Sequence, residues 1–211
     1  EEEKNTVATV NGEKITSDQL SERAQIFRVL MALKSVPEFA EFLMETKKGE
    51  EVLDTYRDYV LEKLIEEELI LQEAEARGIN VKDREIEERL STLIKKTEEV
   101  SSKKELLQKL KKDQRTLHDL KEEIYRKIAR EKLKKRIVED VSISESEIRK
   151  YYEKNRDSFR DDGQNIPPLS EVKAQIREQL KKDRKDALWQ KWIKKAKAGA
   201  TIVKNLKDTS E

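Results

Sequence analysis

The spacing of hydrophobic residues predicts a chain made mostly of long helices. Residues 51–77 carry apolar side chains on more than one face, which is typical of a central, buried helix. A second helix at residues 117–137 has a single apolar stripe, and a third follows Pro167 and Pro168 and ends at Gly199. With five glycines and three prolines in 211 residues, the chain has little material for turns, so helices must dominate.

Two short segments at the ends of the chain read as strands. Residues 6–10 alternate and are β-branched, and they are followed by Asn11 and Gly12, a pair that favours a tight turn. Residues 201–205, TIVKN, are predicted to form a second short strand. Because so short a strand needs a partner, we expect the two to pair. The predicted fold is mainly α, a multi-helix module with a two-stranded sheet that joins the N- and C-terminal segments into one discontinuous domain over residues 1–211.

Four copies of one helix-start motif predict where helices begin. A Ser or Thr caps the first turn, and a Glu, Gln or Asp three residues later caps that residue in return. The motif places helix starts near residues 17, 103, 117 and 145. The pairs are Thr16 with Gln19, Ser102 with Glu105 and Ser144 with Glu147, and Thr116 with Asp119 is a looser version.

Residues 27–45 hold both methionines and three of the four phenylalanines. Pro37 should end the first helix, and a short second helix should run on to Gly49. Two short helices cannot easily hide every bulky side chain, and Met and Phe adapt to partners of varied shape. We therefore expect part of the stretch to be a contact surface and part to be core. The outward class is Met31, Phe39, Phe42 and Met44, and the inward class is Phe27, Leu30 and Leu33.

The charge balance excludes several kinds of partner. Lys and Arg number 46 and Asp and Glu 45, so the chain lacks the basic excess of a nucleic-acid-binding protein. The excess of Lys, Glu and Arg resembles the composition of thermophile proteins, although many ordinary helical proteins share it. Without cysteine there is no disulfide or thiol chemistry. No apolar run is long enough to span a membrane, and the first residue, Glu1, indicates a processed or trimmed N-terminus.

No residue pattern predicts catalysis or metal binding. The single histidine, His118, lies beside Asp119 on a charged helix, where a solvated role is the usual one. The acidic run at residues 66–68 is expected by chance among 45 acidic residues, and no calcium-binding loop accompanies it. A glycine-rich phosphate loop is also missing. We therefore predict no catalytic residue, no metal site and no cofactor.

Three segments together resemble the N-terminal chaperone module of SurA-type and PrsA-type foldases. They are VATVNGEKITSDQL at residues 7–20, the long-helix segment at residues 60–90, and the segment at residues 127–159 that ends in a Tyr-Tyr, Asn and Phe pattern. The resemblance covers nearly the whole chain. The positions that match the family pattern are Leu64, Ile65, Leu69, Ala74, Gly78, Tyr151, Tyr152, Asn155 and Phe159.

The chain departs from the foldase pattern after Phe159. In those foldases a parvulin-type prolyl isomerase domain follows at this point, and the chain then returns as a helix and a last strand. Here only RDDGQNI separates Phe159 from the returning segment, so we expect a short loop at residues 160–168 and no isomerase activity. Parvulin-type sites use a histidine pair with Cys or Asp, a set that this sequence does not supply.

The resemblance implies an extracytoplasmic chaperone that holds unfolded or partly folded polypeptides without ATP. The expected client site is an apolar, helix-lined concavity, and its expected client-binding residues are the outward class of residues 27–45, Met31, Phe39, Phe42 and Met44. Two alternatives stay open: the chaperone portion of a prolyl isomerase whose catalytic domain has been deleted, and a helical adaptor with one fixed protein partner. Exchange of the terminal segments between two copies would also give a homodimer.

Overall fold

The computed structural model describes residues 5–96, 102–112, 115–160 and 165–205, which contain nine α-helices and three strands. The mainly helical fold class predicted from the sequence is confirmed. The strands are β1 (Thr6–Val10), β2 (Glu13–Thr16) and β3 (Ile202–Lys204). The helices are α1 (Ser17–Ala24), α2 (Ile26–Ala32), α3 (Pro37–Glu45), α4 (Lys47–Ala76), α5 (Asp83–Lys96), α6 (Lys103–Lys112), α7 (Leu117–Ile137), α8 (Glu145–Lys154) and α9 (Leu169–Gly199).

The chain forms two compact units. The first comprises residues 1–130 and 196–211, so it is built from both ends of the chain, and the second comprises residues 131–195. Helices α7 and α9 each contribute residues to both units. That the whole chain acts as one discontinuous domain stays a prediction. The short loop predicted at residues 160–168 lies partly outside the described residues.

The sheet joins the two ends of the chain, as the sequence predicts. Strand β1 lies in the middle and pairs antiparallel with β2 on one side and β3 on the other. Val10 is opposite Ile202, and Ala8 is opposite Lys204. The ladder continues beyond the strands, because Asn11 N donates a hydrogen bond of 2.8 Å to the carbonyl of Thr201. The pairing of the two terminal segments is thus confirmed.

The sheet has one more strand than predicted. Asn11 and Gly12 both take positive φ values, 52° and 94°, and so form the expected tight turn after β1. The turn folds residues 13–16 back onto β1 as strand β2. The sequence EKIT carries only one buried side chain, Ile15, so its alternation is too short to stand out as a strand.

The predicted helix starts are confirmed. Helices α1, α6, α7 and α8 begin at residues 17, 103, 117 and 145. At α7, Thr116 N donates to the Asp119 carboxylate at 2.7 Å, and Asp119 N donates to the Thr116 hydroxyl at 3.1 Å. The hydrogen bonds from Thr116 hold the pKa of Asp119 below its usual range. The motif works because all of its atoms lie within one turn of helix.

The first helix breaks earlier than the sequence predicts. Gln25 adopts a left-handed conformation, with φ 48° and ψ 36°, and separates α1 from α2. A second interruption at residues 33–35 is a 3₁₀ turn, and Pro37 then opens α3 as its first residue. A proline is well placed there, because the first helical N–H has no partner within the helix. The apolar stretch therefore forms two short helices, as predicted, but at different boundaries.

Helix α4 is the central helix of the first unit. Its buried side chains pack with those of β1, β2 and α1 in one cluster, which explains why the sequence of α4 is apolar on more than one face. Ala200, which follows α9, and Ile202 of β3 pack against the same cluster. The buried members are Ala8, Val10, Ile15, Leu20, Ala24, Val60, Leu61, Ile65 and Leu69.

Charged contacts hold the end of the chain to α4. Lys197 donates hydrogen bonds to Glu62 at 2.7 Å and to Glu66 at 3.0 Å. Lys204 of β3 also pairs with Glu62. Partial burial tends to raise the pKa of Glu62, but the hydrogen bonds from Lys197 and Lys204 outweigh it and leave that pKa below its usual range. The C-terminal segment is therefore fixed by ion pairs as well as by the sheet.

The second unit has a small core of its own. Ile148 of α8 packs on Val172 and Ile176 of α9, with aromatic side chains at the edge. The Tyr152 hydroxyl donates a hydrogen bond of 2.7 Å to the carbonyl of Pro167, which fixes the start of α9 against α8. Arg184 donates to the carbonyl of Ser142 at 2.8 Å. The Tyr-Tyr element of the sequence pattern is thus a packing element.

We expect Glu147→Gln to destabilise the second unit at neutral pH and to have less effect in acid. Hydrogen bonds from Arg184, and then from the Ser144 N–H and hydroxyl, lower the pKa of Glu147 from 4.5 to about 2. When folding lowers the pKa of a carboxyl group, the carboxylate stabilises the fold at pH values above its pKa in the unfolded chain. This contribution is lost as the pH falls through its pKa in the folded protein. The difference in melting temperature between the two proteins should therefore shrink between pH 4.5 and about pH 2.

Glu153→Gln is the control for this measurement. Glu153 lies on the same helix and is exposed, with no ion-pair partner among the described residues. Its substitution should leave the melting temperature nearly unchanged across the same pH range. If Glu147→Gln were equally silent at neutral pH, the contact between α8 and α9 would not depend on this carboxylate.

Candidate binding surface

Helices α3 and α4 meet in a tight corner that fixes the apolar stretch. Thr46 lies between them and caps α4, because its hydroxyl accepts a hydrogen bond of 3.0 Å from Gly49 N. The same hydroxyl donates a bond of 2.7 Å to the carbonyl of Phe42. One side chain thus binds the end of α3 and the start of α4.

The corner depends on close contact at Gly49. The sequence predicts that a helix ends here, but the structure places Gly49 inside the first turn of α4. A Cβ atom on this residue would lie less than 3.0 Å from the Phe42 carbonyl oxygen and from backbone atoms of Leu43. Gly49 is therefore required for packing rather than for ending a helix, which is why the predicted boundary is wrong.

Exposed hydrophobic side chains concentrate in this part of the molecule. Of the fifteen large hydrophobic residues that are exposed within the described ranges, ten lie between residues 27 and 59. Single exposed apolar residues are ordinary, but a concentration of them is typical of an interaction surface. The ten are Phe27, Val29, Met31, Val36, Phe39, Phe42, Met44, Val52, Tyr56 and Tyr59. We call this set the α2–α4 surface.

All four residues of the predicted outward class are exposed. The exposed fraction is 43% for Met31, 47% for Phe39, 36% for Phe42 and 66% for Met44. The rings of Phe39 and Phe42 stack with their centroids 6.2 Å apart and their planes 13° from parallel. The structure thus exposes these side chains to solvent, and two of them form one aromatic contact. Their role in binding stays a prediction.

The predicted inward class is wrong at Phe27. Its side chain is 70% exposed, because the break at Gln25 turns α2 and changes which face it presents to the core. Leu30 and Leu33 are half-buried. The buried residue of the stretch is Leu43, which packs where α3 meets α4. Phe27 therefore belongs with the exposed set.

Sequence reasoning missed the share of α4 in this surface. Val52, Tyr56 and Tyr59 are spaced by four and three residues and so lie on one face of the helix. The Tyr56 hydroxyl donates a bond of 3.1 Å to the carbonyl of Ala24, which leaves the ring partly exposed. Lys63 lies 5.3 Å from the centre of the Tyr59 ring. The spacing of these three residues in the sequence could have identified this face of α4. It could not have shown that the face stays exposed in the folded protein.

A separate cleft of the first unit is lined by charged side chains. It has a volume of about 380 Å³ and lies among residues of α1, α4 and α7. Arg23 pairs with Glu67 at 2.5 Å, and Arg115 pairs with Glu123 at 2.8 Å. Although partial burial tends to raise the pKa of Glu123, hydrogen bonds from Lys127 and Arg115 keep it below its usual range. Four of the charged side chains that line the cleft are thus held in two ion pairs.

His118 lines the charged cleft, beside Asp119. Among the described residues, no group of three or more His, Asp or Glu side chains is arranged to hold a metal ion. Within the acidic run at residues 66–68, Glu66 forms ion pairs with Lys63 and Lys197, and Glu67 forms one with Arg23. That the chain has no catalytic residue and no cofactor stays a prediction.

These features define a class of protein: a mainly helical module closed by a terminal sheet, with an exposed apolar surface on α2, α3 and α4. A family model described as the SurA-like N-terminal domain matches residues 1–134. The match covers more than half of the chain. The chain therefore belongs to the SurA-like N-terminal domain family, and the resemblance found in its sequence is confirmed.

Curated relatives agree with this family. The foldase protein PrsA of Clostridium botulinum (strain Langeland) is 28% identical over 184 residues, which cover 86% of this chain and 54% of that protein. The foldase protein PrsA of Caldanaerobacter subterraneus subsp. tengcongensis is 31% identical over 155 residues, or 72% of this chain and 44% of that protein. The chain thus spans about half the length of the curated relatives it matches.

A solved structure shares the fold. It comes from a study of two SurA-like chaperones of Campylobacter jejuni, the virulence factor PEB4 and the periplasmic protein Cj1289. The superposition has a TM-score of 0.63 with 12% sequence identity, and it covers 96% of this chain and 100% of the other. In the described residues, none of the helices is long and apolar enough to cross a membrane.

Proposed function

We propose that this chain is an ATP-independent chaperone that holds unfolded or partly folded proteins outside the cytoplasm. The observation that carries the proposal is the concentration of exposed hydrophobic side chains on the α2–α4 surface. Met31, Phe39, Phe42 and Met44 are its proposed client-binding residues, and Phe27, Tyr56 and Tyr59 extend them. Membership of the SurA-like family and the foldase names of the relatives support the same role.

The surface suits weak and varied binding. Met31 and Met44 have flexible side chains that adjust to different apolar partners, and the stacked pair of Phe39 and Phe42 offers a flat aromatic face. A segment of a client would bury apolar area here and could leave again without an energy source. The charged residues, 43% of the chain, would keep the loaded complex soluble.

Replacing Met31, Phe39, Phe42 and Met44 together by Ser should abolish holding and leave the fold intact. Because the side chains are exposed, each substitution should change the free energy of unfolding by less than about 0.5 kcal/mol. Light scattering of a denatured client, with and without the protein, measures holding, and thermal melting measures the fold. Several unrelated clients should be used.

A matched control comes from exposed hydrophobic residues outside the α2–α4 surface. Leu93, Leu107, Tyr125 and Leu188 have exposed fractions between 36% and 43%. Their joint replacement by Ser should leave suppression of aggregation unchanged. Equal loss in both variants would mean that general hydrophobicity, and not this surface, is responsible. Loss of folding in the first variant would show that the stretch is core.

Two other functions are separated by simple assays. If the parent protein is a prolyl isomerase, the activity should reside outside this chain, and we expect this chain not to accelerate isomerisation of a prolyl peptide above background. An adaptor with one fixed partner would fail to suppress aggregation of several unrelated clients.

Exchange of the terminal strands between two copies is a further proposal, since a dimer of this kind would reuse the contacts of β1 with β3. Measurement of the molecular mass in solution tests this proposal.

A further inference from the structure

The corner formed by α3 and the first half of α4 carries an acidic excess that the chain as a whole lacks. Residues 36–59 contain seven acidic and three basic residues, whereas the full chain has a net charge of +1. Two of the three basic residues are already paired, Lys48 with Glu51 at 2.8 Å and Arg57 with Asp54 at 2.5 Å. Five acidic residues of the corner are then left with one lysine, Lys47, so most of the remaining acidic charge lacks compensation within the corner.

The uncompensated carboxylates border the exposed apolar side chains. Glu41, Glu45 and Asp58 are exposed and have no ion-pair partner among the described residues. Glu41 lies three residues before Met44 and Glu45 three residues after Phe42, spacings that place each pair on one face of α3, and Asp58 precedes Tyr59 in the sequence. Each of these three apolar residues is exposed. Negative charge thus lies beside the exposed apolar residues of α3 and next to Tyr59 of α4.

The acidic residues of α3 also repel one another. Glu38, Glu41 and Glu45 follow a spacing of three and four residues, which puts them on one face of the helix. Like charges at this spacing destabilise a helix. A positively charged partner would relieve the repulsion, so the local charge pattern favours one kind of occupant.

We propose that this corner selects client segments in which apolar residues are flanked by lysine or arginine. The inference rests on the proposed chaperone function and adds the charge of the client to it. Apolar burial supplies the contact, and charge complementarity between the rim and the flanks sets the preference. Each exposed ion pair contributes little, so the selection comes from several pairs together and weakens as salt screens them.

The test uses three synthetic peptides with one apolar centre and flanks of lysine, serine or glutamate. Binding to the full chain is followed by fluorescence anisotropy of a dye on each peptide. At low salt, we expect the lysine-flanked peptide to bind about threefold to tenfold more tightly than the glutamate-flanked one. At about 0.5 M salt the three affinities should converge. The serine-flanked peptide should bind with intermediate affinity at low salt.

Charge-reversal variants test whether the preference for lysine flanks arises at this corner. Glu41→Lys, Glu45→Lys and Asp58→Lys together should remove or invert the preference for lysine flanks. The control reverses three exposed acidic residues of the second unit, Glu139, Glu153 and Glu178, which have no ion-pair partner among the described residues. It changes the net charge equally and should keep the preference.

The outcomes separate the two proposals. If none of the peptides binds, the chaperone function itself fails. If all three bind equally well at low salt, holding stands and the charge preference is overturned. The preference is also overturned as a property of this corner if the control variant loses it, because net charge would then explain the result. Melting curves of both variants show that each one is folded.

Discussion

Gly49→Ala should destabilise the protein by about 1–3 kcal/mol, although alanine is the better helix former. In an ordinary helix interior, replacing glycine by alanine stabilises the fold by about 1 kcal/mol. Here the added Cβ would lie within 3.0 Å of backbone atoms of Phe42 and Leu43. Backbone cannot move aside as a flexible side chain can, so α3 must shift away from α4. The melting temperature and the suppression of client aggregation should both decrease.

Gly199→Ala is the matched control. Gly199 is also helical, at the end of α9, and a Cβ there would have no atom within 4 Å. This substitution should leave the melting temperature unchanged or raise it. A Gly49→Ala protein that melted at a higher temperature than the parent would show that the corner is looser than the structure indicates.

Ending the chain at Gly199 should lower the melting temperature by about 5–10 °C. The truncation removes β3, the packing of Ala200 and Ile202 against the core, and the ion pair of Lys204 with Glu62. Together these losses amount to about 2–4 kcal/mol. A domain of this size loses about 2–4 °C of melting temperature for each kcal/mol.

A second truncation isolates the role of the strand. A chain that ends at Asn205 keeps β3 and the hydrogen bond of 2.8 Å from Asn205 N to the Val7 carbonyl. It should melt close to the temperature of the full chain. If both truncated chains melted together, and close to the full chain, the sheet would contribute little and other contacts would hold the two ends.

The sequence shows most clearly those features whose atoms lie within a few residues. The caps at Thr16, Thr116 and Ser144 were predictable because each one needs only two side chains and one turn of helix. The tight turn at Asn11 and Gly12 is local in the same way. The pairing of β1 with β3 was also predictable, because neither strand is long enough to stand alone.

Features that depend on tertiary packing were not predictable. Gln25 takes a left-handed conformation that glycine or asparagine would usually signal, so the break before α2 left no trace in the sequence. That break turned Phe27 toward solvent, contrary to its predicted place in the core. Gly49 was predicted to end a helix. In the sequence, a glycine that allows two backbones to approach closely looks the same as a glycine that ends a helix.

The candidate surface, too, was predictable in part and depended in part on tertiary packing. Met31, Phe39, Phe42 and Met44 were expected to face outward, since two short helices cannot bury so many bulky residues, and all four are exposed. The contribution of Tyr56 and Tyr59 was missed because half of α4 is buried and half is not. Periodicity locates a helix face, but only the neighbouring helices decide whether that face is covered.

The arrangement of β1 and β3 determines how the molecule responds to mechanical force. The two strands are antiparallel, so the start of β1 and the end of β3 lie at the same end of the ladder. The ladder hydrogen bonds run across the strands. A force that pulls the two ends of the chain apart therefore loads these hydrogen bonds one after another, in an unzipping geometry, and not all at once. The same closure that holds the ends together against heat should open under a small force.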